Sequence, residues 1–313
     1  MAVLIVLMLG APDANAPAHT IAPAPRHSAA VPPVQHSGRS ALTTTPGSYI
    51  GLYPGGDPDS YAGVTAFTRA TGVHPGVVLY YSGWLEPFQT SFAIMAAKHG
   101  AVPLVQLCPT NISIAAIASG QYDDYLSTFA NTVRSYRHPV ILSFGHEMNG
   151  YWYSWGYQHT PAAVFVKAYR HIVTLFRALG VKNVTWMWTV NVIHSRARVP
   201  SPDAWWPGAS YVNWVGIDGY YYNTTNTFAN VFGPTIVAVR ALTHDPIFIG
   251  ETAVAPAAGQ AAKIADLFAG IRLYGLLGFL WFDTNQVEDW RLTSQAAIAE
   301  FRQKAEAYHR LSP

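Results

Sequence analysis

The chain has 313 residues, of which 50% are hydrophobic, 13% are aromatic and only 12% are charged, with a formal net charge of +2. This composition excludes disorder over most of the chain, because disordered segments combine low hydrophobicity with high net charge. The balance of 19 basic and 17 acidic residues disfavours nucleic acid as a partner, and the single cysteine excludes an intramolecular disulfide.

The first 46 residues differ in composition from the rest of the chain. Residues 2–9 form an apolar run too short to span a bilayer, and an A-x-A pattern at residues 14–16 follows it. Residues 17–46 are rich in Pro, Ala, Ser, Thr and His, which is typical of a linker. We predict a signal peptide over residues 1–16, a linker over 17–46, and a secreted mature chain without a membrane span. A buried N-terminal strand is the alternative interpretation of the apolar run.

From residue 47 onward, short apolar runs alternate with longer amphipathic segments. The runs are continuous, as in parallel strands that are covered on both faces, and they predict strands at 49–53, 77–81, 102–107, 140–144, 184–189, 212–217, 247–250 and 278–282. Helix-like segments lie between them, at 61–71, 122–136, 161–179, 228–242, 260–273 and 294–311. This order predicts an α/β fold, a single-domain (β/α)8 TIM barrel over residues 47–313. A doubly wound sheet is the alternative, but its G-x-G-x-x-G loop is absent after the first strand.

Two glutamates are candidates for chemistry. Of the six Glu residues in the chain, only Glu147 and Glu251 terminate hydrophobic strands, the fourth and the seventh. Functional residues of a barrel lie at these carboxyl ends, and a carboxylate is costly to desolvate there unless it has a purpose. Two such carboxyls that face one cavity, with aromatic residues around them, would suit a glycosidase. Structural pairing of each glutamate with a core Arg is the alternative.

The segment around Glu147 carries a family resemblance. Residues 143–150 are Ser-Phe-Gly-His-Glu-Met-Asn-Gly, followed by aromatic residues, and this segment closely resembles the acid/base segment of glycoside hydrolase family 26. Residues 216–220 and 249–252 are similar to the strand-six and strand-seven motifs of that family. The resemblance implies a retaining β-glycanase that needs no metal or organic cofactor. Glu147 would be its general acid/base and Glu251 its nucleophile.

The resemblance also implies roles for the neighbouring side chains. His146 would bind the sugar near its 2-hydroxyl, and Tyr220 would hydrogen-bond the nucleophile. Trp152 and Trp281 would shape the subsite in which the glycosyl-enzyme forms, and Trp155 is expected in the same substrate-binding set.

The end of the third predicted strand departs from the family pattern. Mannan-cleaving relatives usually show a Trp-His pair there, whereas residues 105–109 are Val-Gln-Leu-Cys-Pro. Gln106 is a candidate for contact with a sugar hydroxyl, and a structural hydrogen bond is its alternative role. The substrate therefore stays open between β-mannan, mixed-linkage β-glucan, β-xylan and an exopolysaccharide.

From these patterns we expect a secreted, monomeric glycoside hydrolase that cleaves internal β-linkages of a polysaccharide with retention. A carbohydrate-binding barrel without turnover is the alternative class.

Overall fold

The computed structural model describes residues 42–56, 58–194, 198–286 and 288–309. The predicted signal peptide and most of the predicted linker lie outside these ranges. Within the described ranges, no helix is long and apolar enough to cross a membrane.

Parallel strands form a closed barrel in chain order, which confirms the predicted (β/α)8 fold. The strands are β1 Tyr49–Tyr53, β2 Val77–Gly83, β3 Val102–Cys108, β4 Val140–Phe144, β5 Val184–Asn191, β6 Trp214–Asp218, β7 Ile247–Thr252 and β8 Gly278–Phe282. Strand β1 pairs with both β2 and β8 and so closes the sheet.

Helices connect the strands and cover the outside of the barrel. They are α1 Ala62–Thr71, α2 Thr90–Lys98, α3 Ile114–Ala118, α4 Asp123–Tyr136, α5 Ala162–Ala178, α6 Phe228–Val231, α7 Gly233–Leu242, α8 Gln260–Leu273 and α9 Gln295–His309, with short 3-10 turns at Pro202–Trp205 and Pro256–Ala258. The segment 228–242, predicted as one helix, is two helices that meet at Phe232. Helix α5 begins at Ala162 because Pro161 has an extended ψ of 134°.

Strand alternation divides the core into an interior and an outer layer. At the amino-terminal ends of their strands, Tyr49, Trp214 and Phe248 pack together inside the barrel, with the Tyr49 and Trp214 rings 5.2 Å apart. In a layer nearer the carboxyl ends of the strands, the hydroxyls of Ser143 and Thr189 lie 2.8 Å apart. The opposite faces of the strands pack beneath the helices, as Phe279 does against Phe268 of α8. The interior is thus filled by side chains, and its open end lies at the carboxyl ends of the strands.

A β-bulge in β7 changes which way the end of this strand faces. Gly216 of β6 pairs with Phe248, but Asp218 pairs with Glu251, so β7 holds one residue more than β6 over this stretch. Phe248 faces the interior, and regular alternation would therefore turn Glu251 toward the helices. The extra residue turns the Glu251 side chain into the barrel beside Asp218.

Candidate active site

A turn with unusual backbone angles follows β4 and presents Glu147. Gly145 and Glu147 have φ of +57° and +55°, in the left-handed region that non-glycine residues rarely adopt. A Cβ at position 145 would lie 2.8 Å from Cε2 of Phe165, so only glycine fits there. The backbone N–H of Glu147 donates to the carbonyl of Thr189 at 2.9 Å, which ties the turn to β5. Such strain is often found at functional sites.

The carboxylate of Glu147 is buried and accepts two hydrogen bonds. The indole Nε1 of Trp152 donates to Oε2 at 2.7 Å, and Nδ2 of Asn191 donates to Oε1 at 2.5 Å. The residue is only 2% exposed. Trp152 thus lies at the candidate site, where it orients Glu147. Asn191 was missed by the sequence analysis, because the fifth strand was predicted to end at Thr189, two residues earlier.

The carboxylate of Glu251 also accepts two hydrogen bonds, in this case from tyrosines. Tyr220 donates to Oε2 at 2.7 Å, in the position expected from the sequence, and Tyr81 of β2 donates to Oε1. Glu251 is 3% exposed. Tyr81 was not among the predicted site residues, because nothing in the pair Tyr80-Tyr81 indicates which ring faces the interior.

Three buried carboxyl groups share this end of the barrel. Asn191, Asp218 and Glu251 are successive register partners on β5, β6 and β7, and the amide of Asn191 reaches Glu147. Asp218 is fully buried, and a Cβ at position 250 would lie 2.5 Å from its Oδ1. Gly250 therefore leaves the space that the Asp218 carboxyl occupies.

Burial dominates the electrostatics of these carboxyls. It raises the pKa of Glu147, while the hydrogen bonds from Asn191 and Trp152 lower it. Burial and the charge of Glu147 raise the pKa of Glu251, against hydrogen bonds from its two tyrosines. Burial and the same two glutamates raise the pKa of Asp218 well above its ordinary range. Because the glutamates repel each other when both are ionised, they titrate as a coupled pair, and ionisation of one favours the protonated form of the other.

His146 lies beneath the site and is 2% exposed. Its Nε2 is 3.1 Å from the Tyr153 hydroxyl and its Nδ1 is 3.9 Å from Sγ of Cys108. Burial lowers the pKa of His146 to about 3, so the ring is neutral. Both ring nitrogens face protein groups, and the expected contact with a sugar hydroxyl stays a prediction.

Two other predicted site residues, Gln106 and Trp155, are fully enclosed by the protein. Gln106 is completely buried on β3, where it pairs in register with Tyr81 and Ser143, and its contact with a sugar hydroxyl stays a prediction. Trp155, 1% exposed, stacks on the Tyr153 ring at 4.2 Å and donates to the carbonyl of His146 at 2.8 Å. Its observed contacts therefore support the turn, and its contact with a substrate stays a prediction.

The structure corrects the expected position of Trp281. Its ring lies on the outer face of β8, 5.6 Å from Phe301 of α9, because alternation turns the next residue, Phe282, inward. Phe282 and Trp290 are the β8-side aromatic residues that contact Tyr220, with ring centroids 5.8 and 4.7 Å away. Among the described residues, no group of three or more His, Cys, Asp or Glu side chains could hold a metal ion.

Comparison with known protein families assigns the chain to one of them. Residues 117–292, which include both glutamates, match the family model described as glycosyl hydrolase family 26. The chain belongs to this family. The assignment confirms the resemblance carried by residues 143–150, and the barrel places that segment at the mouth, where the family resemblance requires it.

Curated relatives with different named activities match the chain. Endoglucanase H of Acetivibrio thermocellus is 29% identical in a 274-residue alignment that covers 82% of this chain and 30% of that protein. The β-1,3-xylanase TXYA of a Vibrio species is 26% identical over 68% of this chain and 45% of its own length. Mannan endo-1,4-β-mannosidase of Bacillus subtilis is 26% identical over 53% of this chain and 56% of its own length. The chain thus spans between 30% and 56% of the length of these relatives.

Solved structures of family members share the fold. A modular endo-β-1,4-mannanase from Cellulomonas fimi superposes with a TM-score of 0.65 at 16% identity, over 83% of this chain and 71% of that chain. The catalytic domain of an endo-β-1,4-mannanase from Bacillus sp. JAMB-750 also gives a TM-score of 0.65, at 13% identity, over 88% and 95% of the two chains. These likenesses extend over most of the barrel.

Proposed function

We propose that this chain is a retaining endo-β-glycanase in which Glu147 is the general acid/base and Glu251 is the nucleophile. The observation that carries the proposal is the pair of buried carboxyls at the barrel mouth, each held by two donors. The family assignment supports it, because the segment around Glu147 is the one that resembles the acid/base segment of family 26. Retention requires the two carboxyl groups to be about 5–5.5 Å apart, which is the spacing we expect.

The reaction proceeds in two displacements. Glu251 attacks the anomeric carbon while Glu147 gives its proton to the leaving glycosidic oxygen, so that a glycosyl ester forms on Glu251. Glu147 then takes a proton from water, the water oxygen attacks the anomeric carbon, and the Glu251 carboxylate leaves. The hydrogen bonds from Trp152 and Asn191 orient Glu147 for both proton transfers. The first step needs a protonated Glu147 and an ionised Glu251, and the hydrogen bonds that Tyr81 and Tyr220 donate to Glu251 favour its ionised form.

A neutral β-glycan is the proposed substrate class, and we place β-glucan first within it. Among the described residues, the side chains that donate hydrogen bonds to the two glutamates are Trp, Asn and Tyr, and none of these is a basic group that would pair with a uronic acid. The relative called an endoglucanase matches 82% of the chain, and the end of β3 lacks the Trp-His pair of mannan-cleaving relatives. β-Mannan and β-xylan are the alternatives that the substrate test includes.

The first test is hydrolysis of a panel of mixed-linkage β-glucan, β-mannan and β-xylan. We expect at least one of them to lose viscosity faster than reducing ends appear, which is the signature of internal cleavage. Failure on every glycan would favour the carbohydrate-binding barrel.

The second test separates the roles of the glutamates. In Glu251→Ala, hydrolysis should fall at least about a hundredfold for every substrate. In Glu147→Ala, a dinitrophenyl glycoside should still form the glycosyl-enzyme, because its leaving group needs little protonation, and azide should restore turnover with a β-azide product. Azide on Glu251→Ala should give the inverted α-azide. The surface variant Glu300→Ala is the control. Opposite azide products would exchange the two roles, and full activity in both variants would make the glutamates structural.

We also propose that the protein is exported and acts as a monomer. Support for export comes from the apolar run at residues 2–9, the A-x-A pattern at 14–16 and the linker-like composition that follows. Mass spectrometry of the protein secreted by its host should find an N-terminus at residue 17. An uncleaved cellular protein would contradict export, and sedimentation of a dimer would contradict the monomer.

A further inference from the structure

We propose that Tyr81 is a further catalytic residue, whose hydroxyl holds the Glu251 carboxylate for attack and stabilises it when it leaves the sugar in the second displacement. The inference rests on the proposed function and deepens it. It assigns a hydrogen bond to the nucleophile to a residue of β2, which lies outside the strand-six and strand-seven motifs.

The geometry around Glu251 gives each carboxylate oxygen one tyrosine. Tyr220, just beyond β6, donates to Oε2, and Tyr81 of β2 donates to Oε1. A carboxylate oxygen has about two acceptor positions, so each oxygen keeps one lone pair for the anomeric carbon. Two donors that reach the group from different parts of the barrel mouth fix the plane of the carboxylate. One tyrosine alone would leave the carboxylate free to turn about its side-chain bonds.

Aromatic packing connects the two tyrosines to each other. The Tyr81 ring meets Tyr53 of β1 edge-on at 5.1 Å, and Tyr53 packs on Phe282 of β8 at 4.8 Å. Phe282 in turn meets the Tyr220 ring edge-on at 5.8 Å. A continuous aromatic arc therefore runs from one hydroxyl to the other through β1 and β8. Tyr81 is half-buried, whereas Tyr53 and Tyr220 are buried, so the Tyr81 ring is the part of the arc that the cleft exposes.

The neighbouring residue on the same strand has no such role. Tyr80 faces the helix layer, 5.5 Å from the Phe92 ring of α2, and its hydroxyl accepts a hydrogen bond from the backbone N–H of Gln89. It differs from Tyr81 in direction but not in side chain or strand. Tyr80 therefore provides a matched control.

The charge on Glu251 changes in each step, so the strength of its hydrogen bond from the Tyr81 hydroxyl changes as well. In the first displacement a carboxylate oxygen forms a bond to the anomeric carbon and loses its negative charge. In the second displacement water supplies the new bond, the bond to Glu251 breaks, and the electron pair returns to the carboxylate. Hydrogen bonds to charged acceptors are stronger than those to neutral ones. Tyr81 therefore stabilises free Glu251 more than the glycosyl ester and speeds the departure of the carboxylate.

Other ionisable groups around Glu251 are present in every variant that the test compares. They are Glu147 on the β4 turn, Asp218 on β6, Tyr220 beyond β6, Tyr153 and His146 on the β4 turn, Tyr53 on β1 and Cys108 on β3. Removal of one hydroxyl at position 81 leaves all of them in place. A shift in the titration of Glu251 is then assignable to the lost donor.

The experiment compares Tyr81→Phe with the wild type and Tyr80→Phe in the full chain, on a dinitrophenyl glycoside of the sugar that the wild type hydrolyses. We expect kcat of Tyr81→Phe to fall about tenfold while kcat/KM at the optimum pH changes less, with glycosyl-enzyme visible as a burst and by mass spectrometry. The acid limb of the kcat/KM profile should move up by about one pH unit, because the lost donor raises the pKa of the nucleophile. Tyr80→Phe should match the wild type in all three readouts.

Equal loss of kcat and kcat/KM with an unshifted acid limb would overturn the proposal, and so would wild-type kinetics. If Tyr81→Phe fails to fold, 3-fluorotyrosine at position 81 tests the same hydroxyl, since this stronger donor should move the acid limb down. If the wild type hydrolyses no glycan, the proposed function fails, and the carboxyl titration of Glu251 followed by NMR still tests the hydrogen bond. An upward shift in Tyr81→Phe supports the contact, and an unchanged titration refutes it.

Discussion

Glu147 is held by two groups that can only donate. The indole N–H of Trp152 and the amide N–H of Asn191 both point at its carboxylate, and each contact favours the ionised form. Burial acts in the opposite direction and raises the pKa of Glu147. The donors thus moderate the effect of burial on the pKa of Glu147. The proposed acid/base role needs this balance, because such a group must both give and take a proton near neutral pH.

Asn191→Ala tests this balance. Loss of the amide removes a hydrogen bond that lowers the pKa of Glu147, so the pKa should rise further and the basic limb of the kcat/KM profile should move up by about one pH unit. Activity at the optimum should fall about tenfold, because Trp152 alone orients the carboxyl. The pH–rate profile of purified variants measures both effects, with Asn230→Ala in α6 as the control. An unmoved basic limb would show that Asn191 acts only through its backbone, which accepts from Asn149.

The sequence predicted the glutamates better than their partners, for a physical reason. Glu147 and Glu251 stand out because charged residues at the ends of apolar strands are rare and costly. Trp152 and Tyr220 lie within motifs that the family resemblance covers. Asn191 and Tyr81 lie outside such motifs, and their contacts depend on the strand register between distant parts of the chain.

At the scale of the strand, the sequence does not predict which way a side chain faces where every residue of the strand is apolar. Residues 278–282 are Gly-Phe-Leu-Trp-Phe, and both faces of this strand are buried, so the pattern does not distinguish the inner face from the outer. Trp281 was therefore expected in the subsite, whereas the structure turns it against Phe301 and places Phe282 inside. In a parallel barrel covered on both faces, periodicity predicts that a strand exists but not its rotation.

The bulge in β7 is a second feature that periodicity cannot supply. Regular alternation from Phe248 would direct Glu251 outward, and the extra residue in β7 reverses that direction. Glycine at position 250 marks the irregular stretch and leaves room for Asp218. Glu251 was predicted to lie at the barrel mouth from its position at the end of a strand and not from alternation, and the structure places its carboxyl there, beside Tyr220.

At the scale of the whole molecule, the barrel buries three carboxyl groups in a mostly apolar core. Burial that suits catalysis is unfavourable for the ionised forms, so the site is maintained at a cost in folding stability. The amino-terminal end of the barrel interior is filled by large side chains such as Tyr49, Trp214 and Phe248, and their burial offsets this cost.

This cost predicts how stability depends on pH. The pKa of Glu251 is raised from 4.5 to about 8 and that of Glu147 from 4.5 to about 7 in the folded protein, mainly by burial. At a pH between the ordinary pKa of these glutamates and their raised pKa, the folded state binds more protons than the unfolded chain. The free energy of unfolding should therefore decrease as the pH rises from about 5 to about 8.

Glu251→Gln removes one of the two ionising groups and its repulsion of the other. At pH 8 the variant should be more stable than the wild type by at least about 2 kcal/mol, with a smaller difference at pH 5. Urea denaturation at the two pH values measures this, with Glu300→Gln on α9 as the surface control. Two results would contradict this prediction: a wild type that becomes more stable as the pH rises over this range, or a Glu251→Gln variant that is less stable than the wild type at pH 8. Either result would show that interactions with the ionised glutamates outweigh the cost of burying their charges.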